Sequence, residues 1–171
     1  MDFTSANNRK CENHYPTMTT DDICELKVPS EDNSVLFLWA TAPKLLEALQ
    51  VMKAWGFLYR THFIWDKVVF GLGYWCRGQH ELLLIGKKGN FPPPKNTMRI
   101  PSIIRIKKAE HSDKPDYVKA MIDKWYPNCS KLEMFARLHT PLFPNNDWDY
   151  IGNDINGKDI KEALEELWRT K

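Results

Sequence analysis

Tyr74, Trp75, Arg77, His80 and Glu81 put two π faces, a guanidinium, an imidazole and a carboxylate into one short stretch. Gly71 and Gly73 free the backbone just ahead of the aromatic rings, so a loop here can present them from a mobile stem. That is equipment for gripping a flat polar ring; the same rings can equally do no more than cover a sheet edge. The loop runs into Leu82 to Ile85, an apolar run with Gly86 and Gly89 beyond it. This is the pattern of a strand buried on both faces, and such strands sit inside parallel sheets. The stretch reads as a site mounted on a core.

A second chemical signal is charge. Lys87, Lys88, Lys95, Arg99, Arg105, Lys107 and Lys108 follow one another with no acidic residue between them. A basic segment flanked by Trp75 and Phe91 suits a phosphate backbone, although basic clusters are often only solvated faces. Metal chemistry finds no support, because His14, His62, His80, His111 and His139 are scattered singly, without helical i, i+4 spacing or cysteine partners. A Gly-x-Ser-x-Gly elbow, a phosphate-binding glycine loop and Gly-x-Gly-x-x-Gly are all absent. Hydrolase, nucleotide triphosphatase and ordinary dinucleotide readings are correspondingly weak.

The elements that must position these residues alternate. Thr19 or Thr20 can cap a short helix with Asp21 and Asp22 in its first turn. Val35 to Ala40 reads as a buried central strand, and Pro43 opens a helix whose Leu45, Leu46, Leu49, Val51, Met52 and Trp55 fall largely on one face before Gly56. Leu58 to Trp65 is the next strand, giving a strand–helix–strand unit with parallel strands and a right-handed connection. Residues 66 to 79 form the aromatic loop, residues 80 to 87 its strand, and Pro92 to Pro94 mark residues 88 to 101 as irregular. Beyond them come a short strand at Ile103 to Ile106 and a helix capped by Ser112 or Asp113, with Val118, Met121, Ile122 and Trp125 inward. Strands at Leu132 to Ala136 and Trp148 to Ile151 follow. A last helix, Asp159 to Thr170, turns Ile160, Ala163, Leu164, Leu167 and Trp168 inward.

Alternating strands and helices predict an open, mostly parallel α/β sheet with helices on both faces, which binds ligands beyond the carboxyl ends of its strands. Those ends carry Trp39-Ala-Thr41, Trp65-Asp-Lys67, Arg137-Leu-His139 and Gly152-Asn-Asp154. Each alone can be an ordinary surface or turn residue; several together at strand ends strengthen the case for a site. With 171 residues, 43% hydrophobic and 12% aromatic, the chain has material for one domain with a real core. Its net charge of +2 excludes nothing. Cys11, Cys24, Cys76 and Cys129 lie far apart and are expected as free thiols. No long apolar run or signal-like N-terminus occurs, so a soluble, cytoplasmic protein is expected.

Seven segments, in order, carry a resemblance: Asn13 to Met18, Leu36 to Thr41, Gly73-Tyr-Trp75, His80-Glu81, His111 to Asp116, Leu132 to Arg137 and Trp148 to Asn153. Together they resemble the adenine-N(6) methyltransferases, the family typified by the catalytic subunit of the eukaryotic mRNA adenosine methyltransferase, in its bacterial or phage form. The resemblance implies a permuted, Rossmann-like class I methyltransferase. Such an enzyme moves a methyl from S-adenosyl-L-methionine to the exocyclic amine of adenine in DNA or RNA, and for this chain DNA is the expected nucleic-acid partner ahead of RNA. It assigns Lys114, Arg137, Leu138, His139, Thr140, Asn153 and Asp154 to the cofactor, with Lys114 suited to a carboxylate and Asn153 and Asp154 to hydroxyls or a ring edge. Thr140 and Asp154 stand where Asn and Gln are common in the family. Tyr15, Trp39 and Trp75 fall where the family builds its base pocket; Lys87 and Lys88, from the basic segment rather than the resemblance, are added as substrate contacts.

One family motif, Asp-Pro-Pro-Trp, has no counterpart in the chain; Pro92-Pro-Pro94 follows Phe91 and lies in the wrong order. The motif's acceptors hold the target amine, so no residue is assigned a catalytic role. The expectation is a single domain, residues 1 to 171, lacking an N-terminal strand between the Leu132 to Phe135 and Val35 to Trp39 strands. It should bind the cofactor weakly and transfer methyl slowly. The alternative is a non-catalytic nucleic-acid or partner-binding module of the same fold.

Overall fold

The computed structural model describes residues 17–71, 73, 75–108, 114–136 and 148–170. Helix α1 (Thr20–Cys24) is capped as its sequence predicts, the Thr19 hydroxyl accepting from the Asp22 N–H at 3.1 Å. Strand β1 (Ser34–Thr41) leads through a 3-10 turn at Ala42–Lys44, with Pro43 inside it, into α2 (Leu45–Ala54). Strands β2 (Leu58–Asp66) and β3 (His80–Lys88) flank the aromatic loop, and β4 (Ile103–Arg105) follows. Helix α3 (Asp116–Trp125), strands β5 (Lys131–Met134) and β6 (Trp148–Ile151), and helices α4 (Asn153–Asn156) and α5 (Ile160–Thr170) complete the order. Ser112 and Asp113, the expected caps of α3, lie outside the described residues.

Strands β1 to β4 form one sheet in the order β1-β3-β2-β4, and β5 and β6 form a second, parallel pair. Within the larger sheet β3 runs against both neighbours, while β2 and β4 are parallel. The sheet is therefore mixed, and three expectations are corrected. Leu82 to Ile85 does lie at the centre with Leu82, Leu83 and Leu84 buried, but it is antiparallel to both neighbours. An apolar run reports burial on two faces and says nothing of direction; a loop without a helix between β2 and β3 returns the chain beside itself, which is the antiparallel solution. Among the described strands β1 pairs with β3 alone, so within the described sheet Val35 to Ala40 stands at an edge rather than at the centre. Among the described residues Leu132 to Met134 pairs with β6 and not with the larger sheet, and Phe135, at φ +58°, ends its strand.

The alternation along β3 sorts the core into two halves. Leu82 and Leu84 pack with Val51 and Met52 of α2 and Ile160, Ala163 and Leu164 of α5. Leu83 packs on the opposite face with Phe63, Ile104 and the Val118, Met121, Ile122 and Trp125 stripe of α3. Helices thus cover both faces, as the periodicity predicts. Ile151 of β6, with Leu132 and Met134 of β5 against it, joins the first cluster, so the two sheets share apolar contacts without sharing a described strand pairing. Trp168, expected inward, is half exposed, its indole N–H donating to the Lys27 carbonyl at 3.0 Å. No described helix is long and apolar enough to cross a membrane.

Candidate functional site

The strand register gathers chemistry at one end of the larger sheet. Thr41, the last residue of β1, lies opposite Glu81; Asp66, the last of β2, lies opposite His80 on one side and Arg105 on the other. The carboxyl ends of β1, β2 and β4 therefore meet the start of β3. Alternation places Glu81, Trp39 and Trp65 on the face that α3 covers. Trp39 and Trp65 pack edge to face, with centroids 5.8 Å apart, and the Trp65 indole N–H is fixed to the Ile106 carbonyl at 2.8 Å.

Lys114, just before α3, enters this corner. Its Nζ lies 5.4 Å from the Trp39 ring centroid and 5.9 Å from that of Trp65, and it donates to Glu81 Oε2 at 2.5 Å. Glu81 Oε1 accepts from Lys67 Nζ at 3.4 Å, so one carboxylate serves two cations. Burial pushes the Glu81 carboxyl up, but the Lys114 hydrogen bond, its charge and that of Lys67 outweigh burial and hold it below the ordinary glutamate value. The site is a carboxylate–ammonium pair roofing two indoles.

Asp66, on the other face, organises the loop. Its Oδ1 accepts from the Val68 N–H and from Gln79 Nε2, both at 2.8 Å, and Arg105 Nε stands 3.4 Å from Oδ2. The Gln79 bond above all, then the Val68 N–H, keeps the carboxyl below its ordinary value. Backbone bonds from Lys67 N–H to Gln79 O at 2.9 Å and Gly71 N–H to Gly78 O at 2.8 Å close the stem. Val68 takes φ +66°, an uncommon conformation for a β-branched residue, inside this stapled turn.

At the carboxyl end of β6, Gly152 is buried against the end of β5: a Cβ there would stand 2.7 Å from the Ala136 nitrogen and closer still to its carbonyl oxygen. Asn153 and Asp154 follow in α4, both exposed. The structure thus brings Lys114 together with Trp39 and places Asn153 and Asp154 at the end of the second sheet, with no described bond joining the two groups. Trp75 stands fully exposed on the loop, away from the Trp39–Trp65 pair. Arg137, Leu138, His139, Thr140 and Tyr15 lie outside the described residues.

Lys87 and Lys88 stand at the far end of β3 from Glu81. They end β3, about 20 Å (Lys87) and about 24 Å (Lys88) from Glu81 at the usual rise per residue, and Lys88 Nζ donates to Ser30 Oγ at 3.1 Å. Arg105, Lys107 and Lys108 instead leave β4 at the Glu81 end, so the strands split the basic segment between two ends of the sheet. The partnership of Glu81 with Lys114 and Lys67 was not read from the sequence. Its signal was available: a carboxylate on the threshold of a buried apolar strand needs a cation. Among the described residues no three His, Cys, Asp or Glu side chains converge as for a metal.

Residues 3–154 match the MT-A70 family. The chain belongs to it. Similar curated proteins include the type II methyltransferase M.MunI of Mycoplasma sp, 35% identical over 152 residues, covering 86% of this chain and 62% of that protein. The MT-A70-like N(6)-adenosine-methyltransferase of Arabidopsis thaliana is 32% identical over 160 residues, 88% of this chain and 23% of the relative. The human N(6)-adenosine-methyltransferase catalytic subunit METTL3 is 30% identical over 152 residues, 84% of this chain and 26% of its own length. The chain thus spans less than two thirds of M.MunI and about a quarter of the two N(6)-adenosine-methyltransferases. Membership of MT-A70 places Lys114, Asn153 and Asp154 inside the matched region, at the ends of two different sheets.

Proposed function

We propose that this MT-A70 chain takes part in S-adenosylmethionine-dependent methylation of the exocyclic amine of adenine in nucleic acid. The observation that carries the reading is Lys114 held over Trp39 and Trp65 by Glu81: a partly exposed ammonium, rigidly placed at strand ends, in a chain whose relatives are named methyltransferases. The chemistry of the donor set fits the cofactor. Lys114 can pair with its carboxylate, sharing the charge it now gives Glu81, and the exposed Asn153 and Asp154 can hydrogen-bond its hydroxyls. The bound cofactor supplies an electrophilic methyl on a sulfonium sulfur. The chain's own part is to fix that molecule between two sheet ends and to offer aromatic faces to a base. A Rossmann-like arrangement of the two sheets belongs to the same proposal, supported by their shared core and by helices on both faces of the larger one.

The test is transfer of labelled methyl from S-adenosylmethionine to DNA and RNA oligonucleotides, with the product nucleoside identified by mass spectrometry. N(6)-methyladenine should form, and should vanish with Lys114→Ala or Asn153→Ala. Cofactor binding without any methylated adenine would replace this reading with the second one, a non-catalytic binding module.

A further inference from the structure

The 67–79 loop is built to present apolar rings to something outside the molecule. Val69, Phe70 and Trp75 are exposed, Trp75 completely, although an apolar loop of this kind loses water-excluding contacts by standing out. The stem beneath them is stapled: Asp66 Oδ1 holds both arms, through Val68 N–H and Gln79 Nε2, and two backbone bonds close it. A rigid stem under exposed rings lowers the ordering cost of any contact they make.

What surrounds the rings decides the partner. The backbone past β4 is zipped to the loop's base, Ile106 N–H donating to Asp66 O at 3.1 Å and Lys108 N–H to Lys67 O at 3.2 Å. These bonds bring the exposed Arg105, Lys107 and Lys108 beside a loop that itself carries Arg77 and no acidic residue. Exposed aromatics interleaved with cations make the combination used for single strands, where bases stack and phosphates pair. An intact duplex hides the faces that such rings would stack on. We propose that the 67–79 loop and the exit of β4 form a landing surface for single-stranded nucleic acid. Bases stack on Phe70 and Trp75, and phosphates lie along Arg77, Arg105, Lys107 and Lys108. This deepens the proposed function by giving the strand its path, and it leaves Lys87 and Lys88, at the opposite end of the sheet, out of that path.

Fluorescence anisotropy of a labelled oligothymidylate, about fifteen nucleotides long and so within the span such sites cover, tests the surface without any target adenine. Its failure is therefore separate from failure of methyl transfer. Trp75→Ala should weaken binding about tenfold. The pair Lys107→Gln, Lys108→Gln should reduce the slope of log affinity against log salt by about 1.4, two phosphate contacts at roughly 0.7 each for a single strand. The pair Lys87→Gln, Lys88→Gln should leave the slope as it is, and a G·C duplex of equal length should bind more weakly than the single strand. All the substituted loop and exit residues are exposed, so the variants should fold. Unchanged binding by Trp75→Ala and the Lys107, Lys108 pair would overturn the proposal. So would a slope lost at Lys87 and Lys88, tighter binding of the duplex, or a dimer in sedimentation that Trp75→Ala dissolves while oligothymidylate affinity stays constant.

Discussion

Glu81 stands between two lysines at the entrance of the most buried strand, with its side chain only 14% exposed, and so controls more than its own charge. Replacing it with Gln leaves Lys67 and Lys114 facing each other without an anion. Lys114 is 40% exposed, so water screens part of the loss, and Glu81→Gln should lower stability at pH 7 by about 1 kcal/mol. The direction of the pKa fixes the pH window. The folded-state value lies below the ordinary 4.5, so the carboxylate's contribution is complete above that pH and is lost as pH falls through the folded value. Urea midpoints of the parent and variant should therefore differ at neutral pH and converge in acid; a gap that persists unchanged at low pH would show that the effect is not the ion pair. At this scale the sequence was half legible. Trp65-Asp-Lys67 and His80-Glu81 could be placed at strand boundaries from their positions beside apolar runs. That Lys114 closes onto Glu81 could not, because the pairing depends on α3 lying on one particular face of the sheet.

Between elements, α3 is tied to the second sheet by charge and aromatic faces rather than by aliphatic packing alone. Trp148 and Tyr150 of β6 stack at 6.3 Å, with Lys119 of α3 5.1 Å from the Tyr150 ring and ion-paired to Glu133 of β5. Lys131 lies 6.0 Å from the Trp148 ring and 3.4 Å from Asp123, which also accepts the Trp148 indole N–H at 2.8 Å. Burial above all, with the carboxylates Glu133 and Asp123 nearby, pushes the Tyr150 hydroxyl above its ordinary pKa. At the end of this pair Gly152 lets β6 turn into α4 against the backbone of Ala136, whose N–H donates to the Ile151 carbonyl at 2.9 Å. Adding a methyl at Gly152 must move backbone, so Gly152→Ala should cost about 1–3 kcal/mol, measured by denaturant unfolding. A loss within the ±0.5 kcal/mol of ordinary surface substitutions would show that the close approach is not a constraint. Helix faces were legible at this scale because a 3.6-residue period names its own buried side, and all four residues read inward on α3 are buried. Strand partners were not, because Val35 to Ala40 and Leu82 to Ile85 are similar apolar runs whose central or edge position is decided by connections distant in sequence.

Across the whole molecule the two sheets differ in how firmly they are held. Strand β3 is paired along both edges and buried on both faces, while β5 and β6 pair over four residues each and depend on the apolar cluster under α5. Among the described residues β5 and β6 pair only with each other, and a two-stranded pair of that length is marginal without its neighbours. Its amides should therefore open without global unfolding, and hydrogen exchange in Lys131–Met134 and Trp148–Ile151 should outpace that in Leu82–Ile85. The proposed cofactor site spans this division, with Lys114 anchored to the larger sheet through Glu81 and with Asn153 and Asp154 on the smaller one. A ligand that engages both ends binds only when the second sheet is in place, so S-adenosylmethionine at about a hundred times its dissociation constant should stabilise that sheet by roughly 2.7 kcal/mol. Mass-spectrometric hydrogen exchange should then show β5 and β6 slowing by about a hundredfold on adding the cofactor, with β3 changing far less as long as its amides exchange through openings that the ligand does not oppose. Protection confined to β1 to β4, or absent from the β6–α4 junction, would mean that Asn153 and Asp154 do not touch the cofactor and that the two sheet ends do not form one site.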